Sequence, residues 1–532
     1  MKQIFVIFLK DVRHLWPEIL ASLAVVAALV LVYPRGWRSS EIMNMGWIGL
    51  FARYGGDADV AASILVLLVP LSWFILVARL VHSERLVGNT QFWLTRPYEW
   101  PKFLAAKLLF LASFVYAPFV LGQCILLAEG GFQPLAYLPG LFFNLFCVTF
   151  ILVLPFFALS AATPSFGKLT LVALAVLLSI AGVAIGYSAL PYDLTFSGAD
   201  WLSDLLSALF ITCGCAAIVL VQYARRGTRL SWILIGVTGL LMATLTFVDP
   251  DRWFMGHYYP AQASGAAAPL QVSLANIPVL RRAYESADTG DVEFGIPLQV
   301  AGIPEGATVE PVAVRASIQA SGGAQWQTQW KADSGMNIMR EIPITVVHLR
   351  MRRSLYDQFK SAPVTLHLAL AVDEAKVATT GQLPLRIEDF SIPGVGVCKG
   401  PPPTPYSTGF IHCRSAMRQP PLTYVIGHWT EGDCPAQPTD DGTILGAAWV
   451  GNLDQHPAEF GITSVWQFPI SLSNVMWGRG PGAVNVGPPH LCPGTTLTFT
   501  TYRLASSEQL SVTIPNFQLP ELENVRIGGF AR

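Results

Sequence analysis

Catalytic and cofactor-binding residues often occur in motifs whose spacing has a chemical reason. A phosphate-binding loop needs G-x-x-x-x-G-K-[ST], because its glycines let backbone N–H groups approach phosphate. The nearest fragment, Ser165 to Leu169, lacks the leading Gly and the hydroxyl after Lys168. HExxH, GxSxG and GxGxxG motifs are also absent from the sequence. We therefore expect no catalytic residue and no cofactor in this chain. A membrane-anchored hydrolase, whose nucleophile and base meet only on folding, is an alternative.

The segment between residues 82 and 107 indicates a second kind of site, one that binds a protein partner. It has charged ends, and its middle carries an apolar patch formed by Phe92, Trp93 and Leu94. Arg96-Pro97 closes the patch, because the residue before a proline avoids helical geometry. Aromatic side chains flanked by charge are what a soluble partner could grip. The alternative is a loop whose aromatic rings lie among lipid headgroups, and the residues alone leave both interpretations open.

The elements that would position this loop are membrane-spanning helices. About 20 apolar residues are needed to cross roughly 30 Å of hydrocarbon. Seven stretches qualify, and the short connection between the fourth and fifth leaves open that these two are re-entrant pieces. The predicted spans cover residues 18–34, 61–82, 104–128, 138–162, 169–190, 202–222 and 231–248.

Composition agrees with a membrane protein. Charged residues make up 13% of the 532 residues and hydrophobic residues 52%, whereas soluble domains carry about 25% charged residues. The net charge of −1 provides no basic field for nucleic acid, so we expect lipid and not nucleic acid as a partner. Residues 1–17 pattern as an amphipathic helix in the membrane interface, with Asp11 on its polar side; a fraying start to the first span is the alternative.

The positions of Lys and Arg predict the orientation. With the N-terminus in the cytoplasm, twelve cationic residues fall in cytoplasmic segments and three fall outside. Positively charged loops favour the cytoplasmic side. Seven crossings then place residues 249–532 outside the cytoplasm. Since Arg outnumbers Lys by 25 to 9, as in GC-rich bacteria, we expect the cytoplasmic (inner) membrane of a bacterium, with a periplasmic C-terminal domain.

The cysteines of the C-terminal half are even in number, which favours disulfides in an oxidising compartment. Proximity suggests the pairs Cys398–Cys413 and Cys434–Cys492, among three possible pairings. A metal site is the alternative, because several histidines are near in sequence. No CxxC or HxxxH spacing supports it, so we expect no metal. The histidines are His412, His428, His456 and His490.

The C-terminal half reads as an all-β, sandwich-like soluble domain. Large apolar residues occupy every second position in Val364–Val372, as in a strand with one buried face. Similar stretches, separated by Pro, Gly and Asn or Asp, favour a β-sandwich. We predict a linker over 249–275, a β-domain over 276–388 and a second β-rich unit with the four cysteines over 389–532.

After the second span, an acidic residue, a Gly, a Leu-Thr-Arg-Pro stretch and a Lys in the third span follow one another. The positions are Glu84, Gly88, Leu94, Thr95, Arg96, Pro97 and Lys107. This order resembles that of the permease subunit of ABC-2-type ABC transporters, and the likeness covers roughly the first 230 residues. A seventh span and the outer domain depart from that family.

The resemblance implies a permease subunit without its own ATPase. A separate ATP-binding cassette subunit would dock on the loop, and two permease units, identical or different, would form the pathway. The alternative function is a non-transporting receptor or envelope assembly factor that binds a ligand or protein through its β-domain. Six tryptophans of the outer half motivate it: Trp326, Trp330, Trp429, Trp449, Trp466 and Trp477.

Overall fold

The computed structural model divides into a helical first part and a second part built from antiparallel sheets. Every structural statement below refers to the residues that it describes. These are residues 2–36, 57–83, 99–188, 200–248, 270–277, 283–285, 290–328, 330–332, 338–340, 343–384, 388–392, 396–399, 410–416, 423–430, 446–449, 462–474 and 496–522.

The helical part consists of long apolar helices, three of which contain π-helical segments. The π segments are Ala112–Tyr116, which joins α4 to α5, Thr149–Val153, which joins α6 to α7, and Val221–Arg225, which follows α9. The helices are α1 Lys2–His14, α2 Trp16–Gly36, α3 Asp57–His82, α4 Trp100–Leu111, α5 Ala117–Glu129, α6 Leu138–Val148, α7 Leu154–Ala162, α8 Phe166–Ser188, α9 Asp200–Leu220 and α10 Thr228–Val248.

Seven of these helical stretches are long and apolar enough to cross a membrane, which confirms the predicted helical membrane part. The fourth and fifth are 29 and 21 residues long, so each has the length to span. The observed spans are Trp16–Arg35, Ile64–His82, Trp100–Glu129, Pro134–Ala162, Phe166–Gly186, Leu205–Arg225 and Thr228–Leu245.

Successive spans run in opposite directions, so the connections alternate between the two ends of the bundle. At one end the His82 ring meets Thr163, where α7 ends. The Phe103 ring near the start of the third span meets Tyr223 near the end of the sixth. Since α1 lies at this end, we call it the α1 end, and we call the other end the sheet end.

The second part contains sixteen described strands. They are β1 Gln271–Leu274, β2 Ala283–Glu285, β3 Asp291–Ala301, β4 Ala307–Ala320, β5 Gln325–Gln327, β6 Lys331–Ala332, β7 Ile338–Met339, β8 Ile344–Arg352, β9 Val364–Pro384, β10 Phe390–Ile392, β11 Gly396–Lys399, β12 Phe410–Ala416, β13 Thr423–Thr430, β14 Gly446–Trp449, β15 Val465–Asn474 and β16 Thr496–Phe517. A short helix, α11, covers Arg353–Phe359.

Two of the sheets share one apolar core, as the predicted sandwich requires. The smaller sheet has the order β1-β3-β2, and β8 also pairs with β3. The larger sheet has the order β13-β16-β9-β4-β5. Alternate residues of β3, including Phe294 and Ile296, pack against those of β9, including Leu366 and Leu368. Burial of these two apolar faces against each other holds the sheets together.

The third sheet has the order β10-β11-β12-β15-β14. The predicted separate unit over residues 389–532 does not match the pairing of its strands. Strand β16 follows the third sheet in sequence, yet pairs with β9 of the larger sheet. Strand β13, which lies between β12 and β14 in sequence, also belongs to the larger sheet. The chain therefore alternates between the two sheets. The predicted linker also ends earlier than 275, because β1 pairs with β3. Long-range pairing of this kind has no local sequence signal.

Strand β11 begins at Gly396, and we expect Gly396→Ala to destabilise the third sheet. Its φ of +143° is a conformation that side chains rarely adopt, and an added Cβ would lie 1.9 Å from the carbonyl oxygen of Arg414. We expect a cost of about 2 kcal/mol or more, measured as faster amide exchange in β11 and β12. The matched control is Gly381→Ala, whose Cβ would meet open space. Equal exchange in both variants would contradict this.

Candidate functional site

Most of the sequence-predicted site residues lie outside the described residues, but both flanks of their loop are placed. Helix α3 ends at His82 and α4 begins at Trp100, and both are at the α1 end of the bundle. Lys107 is the predicted site residue whose surroundings are described. Outside the description lie Glu84, Gly88, Phe92, Trp93, Leu94, Thr95, Arg96 and Pro97.

Lys107 forms a buried ion pair with Asp11. Its Nζ lies 2.8 Å from Asp11 Oδ2, and the two side chains are 0% and 1% exposed. Nζ also donates to the carbonyl oxygen of Leu80 at 3.1 Å. Taking two charges out of water is costly, and close pairing with further hydrogen bonds offsets that cost. Lys107 therefore ties α1, the end of α3 and the third span together.

Helix α1 packs on the bundle through the side that carries Asp11, contrary to the predicted amphipathic pattern. Ile7, Asp11 and Leu15, four residues apart, are buried. The Phe8 ring lies 6.4 Å from that of Phe110. Asp11 can occupy this buried stripe because Lys107 neutralises it. By contrast, the side of the helix that carries Phe5 is exposed.

The start of the loop is attached to the fourth span. Nε2 of His82 lies 3.1 Å from the carbonyl oxygen of Thr163 and 3.2 Å from its hydroxyl. The Thr163 hydroxyl in turn donates to Leu159 O at 2.9 Å. One turn earlier, Arg79 forms an ion pair with Glu18 of the first span, 3.1 Å apart. Helix α3 is thus held on two sides just before the loop begins.

The end of the loop is attached to the fourth and sixth spans by aromatic packing. The Tyr223 ring lies between Phe103 of α4 and Phe157 of α7, with centroids 5.6 and 5.7 Å away. All three side chains are buried. Aromatic pairs at this separation add to the stabilisation that burial provides. A displacement of the loop at either flank would therefore reach the packed helices.

Two adjacent π segments interrupt the third and fourth spans in the same way. The N–H of Ala117 donates to Ala112 O, and that of Leu154 to Thr149 O, each five residues back. A proline follows immediately in both helices, at 118 and 155. Since proline lacks an N–H, it breaks the regular α-helical ladder, and π segments of this kind recur at functional sites.

A side-chain interaction between Tyr116 and Thr149 links the two π segments. Tyr116 ends the first segment and Thr149 begins the second. A π turn has no sequence signature from which either segment could be predicted. The pair provides a place inside the bundle where two neighbouring spans depart from regular geometry together.

At the sheet end, residues 462–465 dock between the first and third spans. The Gln123 side chain donates to Ile462 O, and Ser464 Oγ donates to the backbone oxygen of Gln123 at 3.0 Å. The Tyr33 hydroxyl donates to the carbonyl oxygen of Val465 at 3.3 Å. The amide of Gln123 is buried in an otherwise apolar span, which was the one sequence signal that could have indicated this contact.

Apolar contacts surround these hydrogen bonds. Val465 and Ala416 of the third sheet pack against Leu126 and Leu127 of the third span and Leu141 of the fourth. Burial of this cluster stabilises the docked position. The docking residue Val465 begins β15, whose neighbour in the sheet is β12.

The third sheet is covalently closed next to this contact by a disulfide between Cys398 of β11 and Cys413 of β12. This is the pair that proximity in sequence suggests. Because the two sulfurs are bonded to each other, they are not thiolates that could bind the metal of the alternative prediction. Cys434 and Cys492 lie outside the described residues.

The third span is the element that connects the two ends. It carries Lys107 near the α1 end, the first π segment in its middle and Gln123 near the sheet end. Sixteen residues separate Lys107 from Gln123, which is about 24 Å along a helix. Lys107 and Gln123 thus connect the third span to α1 and to residues 462–465, respectively. Comparison with known proteins adds no family: no protein-family model and no curated protein sequence matches this chain.

Proposed function

We propose that this chain is the membrane permease subunit of an ABC-2-like transporter, and that a separate ATP-binding subunit drives it. The observation that carries the proposal is the attachment of both flanks of the 84–98 loop to the bundle. Lys107 holds the end of the loop to α1 through Asp11, and His82 holds its start to Thr163. A partner that moves the loop would therefore move helices and not only a surface segment.

The coupling step follows from this attachment. Nucleotide binding in the partner would favour one of two arrangements of the loop and its flanking helices. Phe92, Trp93 and Leu94 would fill a groove of the partner, while Glu84 and Arg96 orient the loop electrostatically. The displacement would pass along the third span to the paired π segments, where the third and fourth spans can change their relative register. This chain would contribute no catalytic residue.

The orientation of the proposal rests on two independent marks. The segments at the α1 end carry twelve cationic residues, a pattern that favours the cytoplasm. The third sheet at the opposite end carries a disulfide, which persists in oxidising compartments. Both marks support a cytoplasmic N-terminus and a periplasmic β-domain in a bacterial inner membrane.

The proposal also includes a second permease unit, identical or different. The fifth and seventh spans leave most of their surface uncovered within the single chain. Leu177 and Leu178 of the fifth span and Leu240 of the seventh are among the exposed residues. Lipid and a second unit together would cover these apolar surfaces.

Photo-crosslinking tests the docking of the ATPase. A benzoylphenylalanine in place of Trp93 is expected to crosslink, in the producing cells, to a protein that mass spectrometry identifies as a P-loop ATPase. The matched control replaces Phe132, which lies in the connection between the third and fourth spans at the sheet end, and is expected to give no such product. Absence of an ATPase from the position-93 product would refute the proposal.

A second candidate, a receptor or envelope assembly factor, is favoured by the docking of residues 462–465 on the first and third spans. A ligand bound outside would then shift the helices without transport. The crosslinking experiment separates the two functions, because the receptor needs no P-loop ATPase at the 84–98 loop.

A further inference from the structure

The outer face of the larger sheet carries a polar trough with a volume of about 230 Å³. It crosses β4, β9 and β16 on the side away from the shared core. Core residues such as Ala316 and Leu368 point to the other side and are buried. We call it the outer trough; the polar residues that line it are Arg315, Ser317, Gln327, His367, Gln509, Ser511 and Thr513.

Strand register places these side chains in two parallel rows. Ser317 is opposite both Gln327 of β5 and His367 of β9, and His367 is opposite Thr513 of β16. In the neighbouring row, Arg315 is opposite Ala369, which is opposite Ser511. Strands lie about 4.8 Å apart, so the four-residue row extends about 14 Å across the sheet.

The trough is lined by both small and long side chains. Ser317, Ala369 and Ser511 are small, whereas Arg315 and Gln327 are long. His367 lies between Ser317 and Thr513 in its row, and its Nδ1 is 2.9 Å from the Thr513 hydroxyl, which fixes the ring. The rows run across the strands, so an extended chain lying along them would contact polar groups of several strands.

The charge of the trough favours an anion. The Arg315 guanidinium lies over the Trp330 ring, 5.2 Å from its centroid, and this cation–π contact holds it in place. None of the described residues that line the trough is acidic. A fixed guanidinium binds carboxylate and phosphate through two parallel hydrogen bonds.

We propose that the outer trough binds an acidic glycan, a hydroxyl-rich chain that carries carboxylate or phosphate groups. Arg315 binds the oxyanion, and the side chains of Ser317, Gln327, Ser511 and Thr513 hydrogen-bond the hydroxyl groups. Strand addition by an extended peptide is disfavoured, because it needs a free backbone edge, whereas the trough lies on the face of the sheet where β4, β9 and β16 pair with one another.

Binding to the full-length protein in lipid nanodiscs tests this. The probes are tetragalacturonate, which carries carboxylates, maltotetraose with a terminal 6-phosphate, and neutral maltotetraose. We expect at least one acidic probe to bind ten times more tightly than the neutral one in calorimetry. Arg315→Gln should weaken that binding about tenfold, as the loss of a charge-assisted hydrogen bond does.

The control is Arg352→Gln, an exposed cation at the end of β8 in the smaller sheet. It is expected to leave binding unchanged, and thermal unfolding of both variants verifies that they fold. The inference is overturned if neither acidic probe is preferred, if Arg315→Gln binds as the parent does, or if inorganic phosphate alone binds as tightly as the glycans. These outcomes are independent of whether an ATPase docks on the 84–98 loop.

Discussion

Replacing Lys107 by Met is expected to lower the free energy of unfolding by about 3–5 kcal/mol, because it removes the cation beside the buried Asp11 carboxylate. The side chains are 0% and 1% exposed and 2.8 Å apart, so solvent cannot replace the lost interaction. The measurement is equilibrium unfolding in mixed detergent micelles. We also expect faster proteolysis within α1, since the pair joins this helix to the third span.

Two further variants separate the ion pair from a general effect of losing a charge. In the double variant Asp11→Leu/Lys107→Met both charges are gone, and stability should return to near that of the parent, because apolar replacements of a buried pair are often neutral. Lys102→Met breaks an exposed pair with Glu99 and should cost no more than about 1 kcal/mol. If Lys107→Met costs no more than Lys102→Met, the pair does not hold α1 to the bundle.

Prediction from sequence succeeds here where a single physical constraint dominates. Residues 104–128 and 138–162 were predicted as spans from length and hydropathy, and both lie within observed spans. The thickness of hydrocarbon imposes this pattern locally. Alternation in Val364–Val372 likewise predicts β9, because a strand with one buried face has a period of two.

Prediction from sequence fails where two residues far apart in the sequence depend on each other. Asp11 reads as a polar-side residue of α1 until Lys107, 96 residues later, is known to neutralise it. Nothing in residues 462–465 indicates that they meet Tyr33 and Gln123. Strand β16 likewise pairs with β9, although the strands of the third sheet lie between them in sequence. Such contacts are set by the tertiary fold and cannot be predicted from local composition.

Both ends of the third span are held by contacts of this distant kind. At the α1 end the contact is electrostatic, and at the sheet end it is a buried hydrogen-bond group within an apolar cluster. The first π segment lies between them. In the proposed function, this span, fixed at both ends and irregular in its middle, would pass a displacement from one side of the membrane to the other.

Val465→Asp is expected to detach the third sheet from the bundle. Val465 is completely buried against Leu126, Leu127 and Leu141. An aspartate there would place a carboxylate in apolar surroundings without a cation beside it among the described residues. Burying an unpaired charge costs several kcal/mol, more than the docking cluster can offset. The sheet is therefore expected to separate from the spans while the spans remain folded.

Hydrogen exchange in nanodiscs measures this separation. The variant should lose protection in residues 462–465, whereas α3 and α7 should keep theirs. Val377→Asp is the matched control, since Val377 lies on β9 and is 42% exposed; its exchange should equal that of the parent. If Val465→Asp exchanges like Val377→Asp, burial of Val465 is not what holds the third sheet to the bundle. The apolar cluster at the sheet end would then not be the link through which the third span and the third sheet are coupled in the proposed function.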